Sequence, residues 1–298
     1  MAKPIDFRPV HLPQRFEMHW SLRRVMRSRC PSALAMLCCF VLLLNDGTNQ
    51  RLSAEEPTST AVGAWVREQI KDGRLTVEFY DPAKPPKPFP GWTDFEFRLE
   101  YRYDCKLEFP ASKNKTNKTK GTRSGLAVII PTYTKIEVPI KHRMQLPKYL
   151  ESERWYEKGL AKHELEHVRV GLHPRLEMLG KHLVGKLRRV EGMIDKPTDA
   201  NREWIATRLN AEIAPRRDAI QALVLEINRK IDTVTNHGVL PYPDLDEFLT
   251  DLYLKENLDE MKFPYLPEVL DLINTKEYQR ARLVIPDVEP AAQKPETK

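Results

Sequence analysis

The chain has 298 residues, 41% of them hydrophobic and 30% charged, a balance that fits a soluble globular protein. The formal net charge of +6 invites a nucleic-acid reading, but residues 1–54 hold eight Lys/Arg against three acids. The remaining 40 bases and 39 acids leave a net charge of +1. The basic excess therefore belongs to the N-terminus, and the electrostatic case for binding nucleic acid goes with it.

The N-terminus reads as an export signal. Arg23, Arg24, Arg27 and Arg29 form a positive region ahead of residues 32–44, an uncharged stretch that is apolar after Ser32. That stretch is too short for a comfortable membrane span and the right length for the apolar part of a signal peptide. Cleavage is expected after Ala54, from a start at Met18 or Met26; an uncleaved segment would instead act as a membrane tether. Either way the folded part is expected outside the cytoplasm, secreted or periplasmic. Cys30, Cys38 and Cys39 belong to the leader, so Cys105 has no partner for a disulfide in the mature chain. The core must hold the fold together.

Residues 55–69 are read mainly as a linker, with a short helix possible from Val62. Leu75–Tyr80 alternates like a strand. The proline-dense 81–90 is extended or turned. In Trp92–Leu107, apolar and aromatic Phe95, Phe97, Leu99, Tyr101 and Tyr103 recur at period two, which predicts one strand. Lys113–Arg123 is a basic loop whose Asn114-Lys-Thr116 and Asn117-Lys-Thr119 match glycosylation acceptors; it is expected to be an exposed hairpin loop. Residues 126–130 and 134–138 predict two more strands. The first half is thus a small, mostly antiparallel sheet.

From Leu150 the periodicity becomes helical. Trp155, Leu160, His163 and His167 are placed on one long helix, and residues 176–190 on a second. A third spans 199–231, interrupted or kinked at Pro215, and a shorter fourth spans 245–258. The tail 286–298 is polar and Pro-rich, with the composition of a disordered segment.

Within the first of these helices lies His163-Glu164-Leu165-Glu166-His167. Residues four apart share a helix face, so both imidazoles can reach one Zn2+. Glu164 is then the general base for the water that the metal activates. A catalytic zinc takes three protein ligands. His173, six residues after His167, matches the interval of the third histidine in the metzincin pattern, although Gly171 falls one position late. The alternative third ligand is a downstream glutamate: Glu177, Glu191, Glu203 or Glu212. Tyr156, Arg169 and His182 lie close enough in sequence to serve as oxyanion donors.

The order of three features resembles a bacterial family known as domain of unknown function 922. They are the aromatic strand ending near Cys105, the Leu146-Pro147 step, and Trp155 eight residues before His163. That family is described as secreted zinc-dependent proteases of gluzincin type. The resemblance covers residues 70–195. It implies an α+β, zincin-like fold, with a small sheet packed on the active-site helix and a helical part (196–285) beyond. It also pulls the third ligand toward a glutamate, leaving that choice open against His173. The expected substrate is an extracytoplasmic protein or peptide. The competing readings are a non-catalytic cell-envelope scaffold and a zinc amidase acting on peptidoglycan. Oligomeric state is not legible.

Overall fold

The computed structural model describes residues 59–85, 89–110 and 125–285. The expected leader (1–54), the glycosylation-type loop and the tail from 286 lie outside these residues. No helix among the described residues is long and apolar enough to cross a membrane.

The architecture is α+β. Helix α1 (Ser59–Lys71) takes in residues 59–69 of the expected linker. Ala61, Trp65, Val66 and Gln69 are buried at helical spacing, which docks this segment on the core. Strand β1 (Leu75–Tyr80) follows as expected. The predicted single strand 92–107 is in fact two, β2 (Trp92–Phe97) and β3 (Glu100–Glu108), and they belong to different sheets. Conversely, the two runs predicted at 126–138 form one strand, β4 (Gly125–Glu137), followed by an unpredicted β5 (Ile140–Pro147). The chain changes sheet twice at one place. Arg98 N–H donates to the Pro139 carbonyl at 3.0 Å, bridging the two breaks. Pro139 has no N–H for a ladder, so it is a natural point for β4 to end and β5 to start anew.

Helix α2 (Gly159–Gly171) carries the His-Glu motif. Trp155 is not on it; Trp155–Glu157 forms a separate 3-10 turn. Helix α3 (Pro174–Gly185) stops short of Val190, which instead starts β6 (Val190–Ile194). Helix α4 (Arg202–Thr235) runs unbroken for 34 residues through Pro215. The expected fourth helix is two short ones, α5 (Leu245–Asp251) and α6 (Lys255–Glu260), followed by α7 (Leu266–Ile273) and α8 (Lys276–Arg280).

One sheet has the order β1-β5-β2, with β1 parallel and β2 antiparallel to β5; the other, β3-β4-β6, is wholly antiparallel. A single large core joins α1, the first sheet, α2, α3 and the later helices. Helix α4 contributes Ile220, Val224, Ile227 and Ile231, all buried. Their spacing is one helical stripe, and burying each stabilises the fold by roughly 1.5–3 kcal/mol. That stripe fixes the rotation of α4, and so where its last turn points.

Candidate metal centre

His163 and His167 lie one turn apart on α2, with ring centroids 4.7 Å apart. Both are buried. They are held there because Leu165 and Val168, on the other side of α2, are sunk in the core. Facing them is Asp232, in the last turn of α4. It follows Ile231 directly and so is turned by about 100° from the buried stripe.

The three side chains converge. His163 Nε2 and His167 Nε2 each lie 3.1 Å from the same oxygen, Asp232 Oδ1, and 3.3 Å from one another. Both imidazoles can donate to the one carboxylate oxygen, but that leaves the short edge between the two nitrogens unbridged; a cation satisfies all three sides at once. The edges also suit a metal ion: ligand atoms on tetrahedral arms of about 2.0–2.1 Å stand roughly 3.3 Å apart. Among the described residues, His163, His167 and Asp232 form the group that could hold a metal ion.

The surroundings are rich in negative charge. Glu166 Oε2 is buried without a hydrogen bond, 3.5 Å from His163 Nδ1. This is the arrangement in which an outer carboxylate orients a ligand histidine. Burial opposes a charge on His163, but Asp232 and Glu166 outweigh it and push its pKa up to about 9. Burial also works against the Asp232 carboxylate, and the two imidazoles overcome it, holding the group well below the usual range. The pocket thus favours positive charge between these groups.

Glu164 is buried next to the triad, on the neighbouring face of α2. Thr93 Oγ1 donates to Glu164 Oε2 at 2.7 Å, so β2 orients the carboxylate. Burial raises the Glu164 pKa, against the lowering effects of His167, Thr93 and His163. Past α4 the chain turns through three left-handed residues, Asn236, His237 and Gly238. Gly238 has φ +79°, and a Cβ there would stand 2.7 Å from His163 Cγ. Only glycine lets the turn close on the imidazole.

No family model matches the chain, nor does any curated protein or solved structure.

The side chain that converges with the two histidines is Asp232 and not the expected His173. His173 is not part of the group; it N-caps α3, its Nδ1 accepting from Arg175 N–H at 3.2 Å. The reason is that α2 ends at Gly171 and Pro174 starts α3 at once, so the chain turns into a new helix instead of folding back. The glutamates are elsewhere too. Glu177, Glu191 and Glu212 are engaged by Lys181, Arg189 and Arg216, and Glu203 is exposed in the first turn of α4. Of the oxyanion candidates, Tyr156 packs against Gly63 of α1, Arg169 pairs with Asp246, and His182 pairs with Asp271. Asp232 was missed because it lies 65 residues beyond His167, with no local pattern to mark it. Its one hint is its place a turn before the Asn236-His237-Gly238 helix stop.

Proposed function

We propose that this chain is a secreted or periplasmic zinc-dependent protease in which His163, His167 and Asp232 hold the metal and Glu164 is the general base. The observation that carries the reading is the triangle of two imidazole nitrogens and one carboxylate oxygen, with a buried carboxylate beside it. Two nitrogens and one oxygen are a donor set suited to zinc, and three protein ligands are the number found where a position is kept for chemistry. When bound, the ion supplies Lewis acidity, polarising a peptide carbonyl and making a water easier to deprotonate. Glu164 would act as the general base, taking a proton from the attacking water and returning it to the departing amine. Thr93 keeps one carboxylate oxygen occupied, leaving the other for the proton. Glu166, 3.5 Å from His163 Nδ1, is placed to steady that ring once the two approach. The export-type leader expected from the sequence supports an activity outside the cytoplasm.

The test is metal content and peptidase activity, measured together on the purified chain. One zinc per chain is expected. Glu164→Gln should retain the zinc and lose at least about 100-fold in kcat, the usual scale for removing a general base. Asp232→Ala should lose both zinc and activity, and His173→Ala should lose neither. A chain that takes up no zinc, or Asp232→Ala holding zinc as tightly as the parent, would overturn the assignment.

A further inference from the structure

A stack of three rings stands beside this site, outside the large core. Phe89 lies between Trp92 and His237, with ring centroids 6.4 and 4.5 Å away and planes within 12° and 22° of parallel. Phe89 is 40% exposed and the His237 side chain 50%. Neither Phe89 nor Trp92 belongs to any of the hydrophobic clusters. Keeping apolar rings at the surface gains little for folding, yet this segment is firmly anchored. Tyr80 Oη donates to the Pro90 carbonyl at 2.5 Å, Trp92 Nε1 donates to Asp94 at 2.6 Å, and Thr93 holds Glu164. Phe89 directly precedes Pro90, which disfavours the helical region for Phe89 and so narrows its backbone freedom.

The segment that carries the stack runs beside both halves of the site. His237 Nδ1 is 3.8 Å from Asp232 Oδ1, the atom that both ligand histidines contact. At the other end, Gly91 lies so close to Glu164 that a Cβ there would collide with the carboxylate. We infer that the Phe89–Trp92–His237 stack is the wall of a substrate subsite that receives a large apolar side chain, preferably aromatic, next to the scissile peptide bond. The inference rests on the protease reading and adds its specificity. Exposed ring edges suit edge-to-face contact with an incoming ring.

The experiment uses the Glu164→Gln chain, which binds without turnover, and measures its zinc content in the same samples. The probes are two fluorescein-labelled hexapeptides, one all alanine and one with a central Phe, followed by anisotropy. The Phe peptide should bind about tenfold more tightly. Adding Phe89→Ala should bring the ratio close to one, and Phe89→Leu should keep part of it. A zinc-loaded chain that binds both peptides alike, or whose preference survives Phe89→Ala, overturns the subsite and leaves the protease reading standing. A zinc-free chain that still prefers the Phe peptide through Phe89 keeps the subsite and overturns the protease. Tighter binding of chitotetraose than of either peptide, lost with Phe89→Ala, overturns the peptide subsite in favour of a glycan surface.

Discussion

His173 shows how a single residue type can serve two unrelated ends. Its interval from His167 fits a metal ligand, but its ring is almost wholly buried at the start of α3 and caps that helix. Burial, reinforced by the nearby Arg175 charge and opposed only by the Leu249 backbone, lowers its pKa to about 3. An unfolded histidine titrates near 6.5, so the unfolded chain takes up a proton first as pH falls. The stabilisation is complete above about pH 6.5 and is lost at about 1.4 kcal/mol per pH unit below it, down to the folded value. Asn offers a side-chain oxygen where Nδ1 now accepts, and it cannot titrate. With metal chelated throughout, urea unfolding at pH 7 and pH 5 should therefore show the parent losing about 2 kcal/mol more than His173→Asn. Parallel pH profiles for the two proteins would refute a neutral buried His173.

At the scale of elements, the site depends on how α4 is seated. Asp232 is aimed by the stripe Ile220, Val224, Ile227 and Ile231, and that stripe packs in the same core as Leu165 and Val168 of α2. At the other end of α4, Trp204 lies so close to β6 that a Cβ on Gly192 would approach its ring to 2.7 Å. Ile227→Ala is expected to cost about 2–5 kcal/mol from lost contact and the cavity left behind. It should also weaken zinc binding several-fold, since the helix can then shift its last turn. Thermal unfolding with and without zinc, beside a zinc titration, checks both effects. Unchanged zinc affinity in a destabilised variant would mean that the α4 terminus is positioned locally, by the 235–240 turn alone. The split of the predicted strand 92–107 belongs to this scale as well. Its alternation of apolar residues is real on both sides of Leu99, but period two cannot reveal which partner strand each half will find.

For the whole molecule, one buried guanidinium joins the C-terminal helices to the site-bearing part. Arg175 donates to the carbonyls of Tyr278, Thr250, Leu252 and Gln279 at 2.7–3.0 Å. Tyr253 Oη donates to the Val170 carbonyl on α2, and Tyr278 Oη to the Tyr253 carbonyl. Five donors in a fixed fork suit such a task, and a lysine cannot reproduce them. Arg175→Lys should destabilise the protein by about 3 kcal/mol or more, since several buried carbonyls are left without donors. Amide exchange in residues 245–280 should rise ahead of exchange in α2. Equal protection in both regions would show that apolar packing alone holds these helices.

The sequence by itself determined the α+β class, the helix under His163, Glu164 and His167, the pairing of those histidines on one face, and the strand at 75–80. All of these follow from short-range periodicity, which fixes the direction of a side chain within its own element. Only the tertiary structure decided the third member of the site, the sheet to which each half of 92–107 belongs, and the single run of 125–137. Asp232 meets His167 because a stripe of four buried aliphatic residues sets the rotation of a 34-residue helix. His173 fails to meet it because Pro174 starts a new helix at once. A spacing rule carries no information about how a distant helix is turned, and that rotation is what brings a carboxylate oxygen to 3.1 Å from two imidazoles.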